Sequence, residues 1–439
     1  MKKTLLLTLA AGLVCSTPAM ALDLYVTGAT AFRQNVHDAC KNLFDTAPVL
    51  GSTLRYGTSA TGGDNKTGNS AAQWVMTGNV GNKVTALGST PLTIHALFTG
   101  SVQGIQTVET GTKIIFVNID GTTVTNTPTI AFSDCASAST PYPATGNFSE
   151  ESVAIQPFVL CRAVSVNNGV TNINSVTWEQ LKYAIQAGRI PLSAWTYKAS
   201  DHANYVYLLE RTKDSGTRRN QFAQELNGFN QSAVVYNYDV TNNVFYKAVN
   251  TLNAATGSTG FGVIGAAGAG NVNLNWGSGY VGGGDLRTAL GIDNVANQSI
   301  GYLSFADAKS LGANPWAQVI AFNGLWPTAA GAGVHGNTGT NDFSPITTGT
   351  YACWGNEVVV YPIISPSALN GDQNLTAAQL GDQNTPGTIL GVLDAQSTGT
   401  PVAGSIEEQI ENSKVAGATA IRLSDMTSSR ASVGGTITP

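Results

Sequence analysis

The segment Arg211-Thr212-Lys213-Asp214-Ser215-Gly216-Thr217 gathers a guanidinium, a carboxylate, hydroxyls and a glycine at one point of the chain. An apolar strand is expected just before it, over residues 205–209. A helix is expected just after it, with Phe222 and Leu226 four residues apart on one face. The start of a helix leaves backbone N–H groups without intrahelical partners and carries a partial positive charge, so it attracts anions. Gly216 allows close approach of the backbone. Ser215 and Thr217 can donate hydroxyl protons, and Arg211 can grip a tetrahedral oxyanion with two parallel N–H groups. The competing reading is that Ser215 or Thr217 only caps the helix.

Three other places carry matching chemistry. Thr30, with Ala31 after it, opens a helix from the loop Gly28-Ala29-Thr30, and Thr30 stands where an N-cap belongs. Ser101 opens a helix from Thr99-Gly100-Ser101, and Asp134 closes the strand Thr129-Ile130-Ala131-Phe132. Three helix starts and one carboxylate at the carboxyl ends of strands is an arrangement that holds a small anion in open α/β folds. An ionised Asp only accepts hydrogen bonds, so Asp134 would favour an oxyanion that still carries a proton, such as hydrogen phosphate, over sulfate.

The elements that position these residues recur as a unit of apolar strand, small-residue loop and amphipathic helix. Residues 23–26 form the first strand, followed by a helix with Phe32, Val36, Ala39, Cys40 and Leu43 at helical spacing. Residues 92–98 form the next. Residues 156–166 are nearly continuous in apolar character, which reads as a strand covered on both faces. Thr177-Trp178-Glu179-Gln180 is a capping box that opens a helix which Gly188 can end. Further strands are expected at residues 300–305, 319–325 and 358–364. Residues 257–284 are glycine-rich and resist assignment, residues 331–349 read as surface insertions, and one helix is expected after Ser405. Alternation of strand and helix makes the class α/β.

The motifs Gly28-Ala29-Thr30, Thr99-Gly100-Ser101-Val102-Gln103-Gly104-Ile105, Phe132-Ser133-Asp134, Val176-Thr177-Trp178-Glu179-Gln180-Leu181 with Trp195, Arg211 to Thr217, Ile300-Gly301-Tyr302 and Phe322-Asn323-Gly324-Leu325-Trp326-Pro327-Thr328 follow one another in order. In that order they resemble the phosphate-binding proteins of bacterial phosphate ABC transporters, within the type II periplasmic binding protein fold. The resemblance spans roughly Leu24 to Pro362. It implies two lobes around a ligand cleft, crossing strands near residues 156–160 and 297–302, and a phosphate-like oxyanion held by Thr30, Ala31, Ser101, Asp134, Arg211, Ser215, Gly216 and Thr217. It also implies a binding protein rather than an enzyme, serving a transporter permease. The expected division is a signal peptide at 1–21, lobe one at 22–156 and 301–364, lobe two at 157–300, and an extension at 365–439 packed on lobe one. One departure stands out. Where the family's Arg-x-Asp loop has its acid, this chain has Lys213, with Asp214 one place later. Lys213 either adds charge at the anion or points to solvent.

Composition narrows the alternatives. Lys2-Lys3, an apolar run to Val14 and Ala19-Met20-Ala21 read as a cleavable signal peptide, placing the mature protein in the periplasm or outside the cell. The full chain carries a net charge of −5 with no basic run, which excludes the electrostatic footprint of a nucleic-acid binder. No later segment is apolar for long enough to span a membrane. Charged residues make up 11% of the chain, against about 25% in ordinary soluble domains. That composition, with the Gly- and Asn-rich insertions, keeps open a second reading: a cell-surface structural or adhesive protein on the same fold. Cys40, Cys135, Cys161 and Cys353 lack C-x-x-C spacing and the histidines are scattered, which argues against a metal site. In an oxidising compartment the cysteines are expected to give at least one disulfide, and the other reading is buried thiols. No cofactor motif stands in a credible context: Gly277-Ser278-Gly279-Tyr280-Val281-Gly282 follows no clear strand.

Overall fold

The structure is a computed structural model describing residues 21–57, 67–163, 173–224, 234–239, 244–247, 261–262, 272–275, 279–280, 282–292, 298–309, 317–329, 342–366, 369, 374–414, 419–430 and 437–438. The signal-peptide reading falls outside these residues apart from Ala21. Parts of the glycine-rich stretch, of the 331–349 insertion and of the 297–302 crossing also fall outside.

The strands that matter here are β1 (Leu22–Gly28), β2 (Leu54–Tyr56), β3 (Gln73–Gly78), β4 (Leu92–Leu97), β5 (Ile130–Ser133), β6 (Phe148–Ala163), β7 (Tyr205–Leu209), β8 (Tyr236–Asp239), β9 (Val244–Lys247), β10 (Gln298–Ser304), β11 (Ala317–Phe322) and β12 (Trp354–Pro362). They join one mixed sheet in the order β9-β8-β7-β10-β6-β12-β5-β1-β4-β3-β2, with β11 also paired to β6. β1 runs parallel to β4 and β5, and β7 runs parallel to β10 and β8. β1 and β10 are buried over nearly their whole length and β7 at Val206, Leu208 and Leu209, as expected for strands covered on both faces.

The helices include α1 (Arg33–Leu43), α2 (Ser101–Thr110), α3 (Trp178–Ala187), α4 (Gly216–Gln224), α5 (Gly283–Ile292) and α6 (Ile406–Ser413). The capping box at α3 forms as expected. Gln180 N donates to Thr177 Oγ1 at 3.2 Å, and Thr177 N donates to Gln180 Oε1 at 2.9 Å. Gly188, at φ +76°, ends the helix by donating to Ala184 O at 2.6 Å. Glu408 N likewise donates to Ser405 Oγ at 3.1 Å at the start of α6.

Among the described residues two large hydrophobic cores hang on the sheet, beside a small third cluster of Ile105, Val108, Ala131 and Val360. The first packs β1, β3, β4 and α1, with Leu24, Phe32, Val36, Trp74 and Ile94 buried in it. The second packs β7, β10 and α3, with Leu181, Leu208, Leu286 and Ile300 buried. Burying each such side chain fully stabilises the fold by roughly 1.5–3 kcal/mol. β6 passes between the cores: Val153 and Ala154 lie in the first, Phe158, Val159 and Leu160 in the second. β12 returns antiparallel to it, from Trp354 in the second core to Val359 and Tyr361 in the first. The architecture is α/β, with two cores joined by two crossing strands.

Three features depart from the sequence reading. The return crossing is β12 and not the segment near Tyr302. Tyr302, Leu303 and Phe305 pack in the second core, as do Ile320, Phe322 and Trp354. β11 pairs with the same stretch of β6 as β10 but on its opposite edge, and Phe343, Ile346, Tyr351 and Cys353 also pack in that core ahead of β12. The extension holds more than one helix: Ala377–Leu380 and Ile389–Leu393 precede α6. Its buried Leu380, Ile389, Leu393, Ile406 and Ile410 belong to the first core. Cys40, Cys135, Cys161 and Cys353 are buried thiols and form no disulfide, in place of the cystine expected. Cys40 lies in the first core while Cys161 and Cys353 lie in the second.

Candidate functional site

The first loop is set by a glycine. Gly28 ends β1 at φ +128°, and any side chain there would overlap the Phe132 carbonyl of β5. Ala29 N donates to that carbonyl at 2.7 Å, and Gly100 N donates to Gly28 O at 2.9 Å. The ends of β1 and β5 and the start of α2 are thereby drawn together. Thr30 follows in a turn, so α1 begins only at Arg33, with Phe32 in the capping position. The expectation that Thr30 caps α1 is therefore corrected: its hydroxyl accepts from Arg211 Nη2 at 3.4 Å. Ala31 is buried beside it.

Asp134 follows β5 and is 2% exposed. Ser101 Oγ donates to its Oδ1 at 3.0 Å, and Thr217 Oγ1 donates to its Oδ2 at 3.0 Å. One hydroxyl comes from the start of α2, the other from the start of α4. Gly216 makes this possible, since a side chain there would collide with Ser101 Oγ. Asn220 of α4 donates to the Asp134 carbonyl. Between the same two loops Val102 N donates to Asp214 O at 3.1 Å. Burial pushes the Asp134 carboxyl above its ordinary value, while Arg211 and the two hydroxyls act against that.

Arg211 is also 2% exposed. Its Nε donates to Tyr280 O at 3.3 Å and its Nη1 to Thr217 Oγ1 at 3.4 Å. Burial pulls the guanidinium below its ordinary value, and the carboxylates of Asp307, Asp134, Asp285 and Glu210 pull the other way. Ser215 serves as the cap of α4, its Oγ accepting from Arg218 N at 3.4 Å. Lys213 is exposed, so the altered position of this loop faces solvent.

The sequence-predicted residues thus fall into three groups. Thr30, Ser101, Asp134, Arg211 and Thr217 form one connected hydrogen-bonded cluster. Gly216 and Ala31 shape its walls. Ser215 holds the helix start.

Sequence reasoning missed the acids around Arg211. Asp307 sits in the short helix Phe305–Lys309, where Ser304 Oγ donates to Asp307 Oδ2 at 2.9 Å and Asp307 N donates back to Ser304 Oγ at 3.2 Å. Ser304-Phe305-Ala306-Asp307 fits the Ser-x-x-Asp capping pattern, a signal open to detection. Asp285 accepts from Gly282 N at 2.9 Å at the head of α5, immediately after the glycine-rich stretch that carries no period. Gly283 leaves room for the Asp307 carboxylate, and a side chain there would also come within 3.2 Å of Arg211 Nη1. Glu210 is fully buried beneath Arg211, and Gln221, with its amide turned to donate, reaches its two oxygens at 2.8 and 2.9 Å. Burial pushes the Glu210 carboxyl up to about 7, against the pull of Arg218, the Arg211 N–H and the Arg211 charge. Glu357 of β12 is fully buried, and neither of its oxygens has a hydrogen-bond partner among the described residues. Burial, and then the Asp134 charge, hold its carboxyl well above the ordinary range. Among the described residues no group of His, Cys, Asp and Glu is placed to hold a metal ion.

No family model matches this chain, and no curated protein matches its sequence. Solved structures do align with it. A candidate phosphate ABC transporter substrate-binding protein from Clostridium perfringens, solved with bound phosphate, is 12% identical, with a TM-score of 0.37 over 77% of this chain and 86% of that one. An ABC-type phosphate transport receptor from Vibrio cholerae is 12% identical, with a TM-score of 0.35 over 77% and 86%. A phosphate-binding protein from Stenotrophomonas maltophilia is 11% identical, with a TM-score of 0.34 over 79% and 80%. At these values the likeness says nothing about the site, whose reading rests on its own geometry. No described helix is long and apolar enough to cross a membrane.

Proposed function

We propose that this chain is an exported solute-binding protein that takes phosphate or a similar tetrahedral oxyanion between two lobes and delivers it to an ABC transporter permease. The lobes would be built on the two cores. The first would comprise 22–156 with 355–414, and the second 157–354. The observation that carries the reading is the cluster itself. Four segments far apart in sequence meet where the cores face each other, and they bring two helix starts, a buried guanidinium, three hydroxyls and one buried carboxylate to one point. Helix starts and Arg211 supply donors to an oxyanion, and Asp134 supplies an acceptor that suits an oxyanion bearing a proton. The acids around Arg211 offset its charge, so binding would rest on aimed hydrogen bonds more than on net attraction.

The second reading, a surface structural protein on the same fold, has one observation in its favour: Thr30, Ser101, Asp134, Arg211 and Thr217 already satisfy one another within the chain. Calorimetric titration with phosphate, arsenate, sulfate and molybdate separates the two. The binding reading expects phosphate and arsenate to bind in preference to sulfate. Absence of heat for all four at millimolar concentration would leave the structural reading.

A further inference from the structure

Two strands, β6 and β12, cross between the cores, and a pair of crossing strands is the usual hinge of a two-lobed protein. A third piece of chain crosses at the same place. Ile155, where β6 leaves the first core, exchanges two backbone hydrogen bonds with Ile421, at 2.8 and 2.9 Å. Gln156 Nε2 donates to Thr419 O at 3.3 Å.

On one side of this crossing the chain is anchored to the first core. Ile406 and Ile410 of α6 are buried there, and Gln396 Nε2 donates to Val153 O at 3.1 Å. Arg422 ties the crossing back to that side, donating to Glu411 Oε2 at 3.0 Å and to Ser397 O at 2.8 Å. On the other side the chain is anchored to the second core. Ile421 is buried in it, and Leu423, Met426 and Ile437 pack against it. Thr427 N donates to Thr347 O at 3.0 Å. Arg430 donates to Trp354 O at 3.1 Å and to Ala352 O at 2.7 Å, and its guanidinium lies 4.2 Å from the centre of the Trp354 ring. Trp354 is the first residue of β12, so this anchor grips the second hinge strand at its root.

We propose that the segment from Thr419 to Arg430 is a strap across the hinge, which holds the two lobes near their closed arrangement and slows ligand exchange. The proposal rests on the two-lobe reading above. A rotation about β6 and β12 shears the strap between anchors on opposite cores, so opening requires the Ile155–Ile421 pair or the Arg430 anchor to release.

The test uses the full mature chain and phosphate as probe. Arg430→Ala removes two charge-assisted hydrogen bonds and a ring contact on the second-core side. Phosphate dissociation, followed by stopped flow, is expected to quicken by roughly 10- to 100-fold. The scattering radius of the ligand-free protein is expected to rise toward an open form. An unchanged dissociation rate and radius in a folded variant would overturn the strap. Should the variant fold poorly, amide exchange on the unaltered protein decides. The Ile155 and Ile421 amides are expected to be as protected without phosphate as amides at the centre of β6, and rapid exchange at both would overturn the strap. If phosphate does not bind at all, the anion reading fails, while the scattering and exchange measurements still judge the strap.

Discussion

Glu210→Gln tests whether the buried acid beneath Arg211 carries a proton at neutral pH. The carboxyl is fully buried, and burial lifts it from its ordinary 4.5 to about 7. Below pH 4.5 the folded and unfolded chains both hold the proton, and no penalty arises. As pH rises, the unfolded chain releases its proton first while the folded chain keeps it, so stability falls until the folded group also ionises. At about 1.4 kcal/mol per tenfold change, the loss attributable to Glu210 comes to about 3 kcal/mol, complete once the pH passes the folded value. Asp134, Glu357 and Asp394 shift in the same direction and add to the slope, so the difference between the unaltered protein and the variant isolates Glu210. Gln keeps the shape and cannot ionise. Urea unfolding at pH 5 and pH 8 is the assay. The variant is expected to gain about 2.5 kcal/mol relative to the unaltered protein between the two values, since a part of the loss is already present at pH 5. Phosphate affinity of the unaltered protein is expected to fall above pH 7, as a further negative charge appears beside Arg211. A difference in stability that does not change with pH would refute the reasoning.

The remaining expectations concern the cluster and its loop. Arg211→Ala removes a buried guanidinium with two donor groups aimed at the site, and it should cost roughly 2–5 kcal/mol of anion affinity, or 30- to 5,000-fold, by calorimetry. Asp134→Asn can donate where Asp only accepts, so phosphate binding should weaken by about tenfold or more while discrimination against sulfate relaxes, read in paired titrations. Lys213→Ala should change affinity by less than about 0.5 kcal/mol, because the side chain is exposed. Gly28→Ala should lower thermal stability markedly, by roughly 1–3 kcal/mol or more, since it combines a φ of +128° with a collision against a β5 carbonyl.

Much of the site is legible in the sequence because its residues sit where local chemistry is distinctive. Thr30, Ser101, Asp134 and Arg211 each follow an apolar strand, and Ser215-Gly216-Thr217 opens a helix at once. Local pattern also suffices for the caps at Thr177 and Ser405. What local pattern misses is pairing across long sequence distance. Asp307 and Asp285 reach Arg211 only because β10 lies beside β7 and α5 packs over β10, and nothing near either acid names its partner. The return crossing escapes local pattern for the same reason. Residues 298–304 and 354–362 are both apolar strands, and only the sheet order tells which one leaves the second core. Thr30 looks like a cap by residue type, yet the tight approach of Gly28 to Phe132 forces an extra turn, and the helix starts three residues later. The extension reads as a tail because its apolar residues are sparse. Beside its buried apolar side chains, its anchors include backbone hydrogen bonds and two arginines, Arg422 and Arg430, which carry no periodic signal.

The most direct measurement of the central claim is a crystal structure grown with arsenate, examined by anomalous scattering at the arsenic edge. A single peak is expected within hydrogen-bond distance of the Arg211 guanidinium, Ser101 and Thr217, with Asp134 facing one arsenate oxygen. A map with no peak there, or with arsenic bound only elsewhere on the molecule, would contradict it.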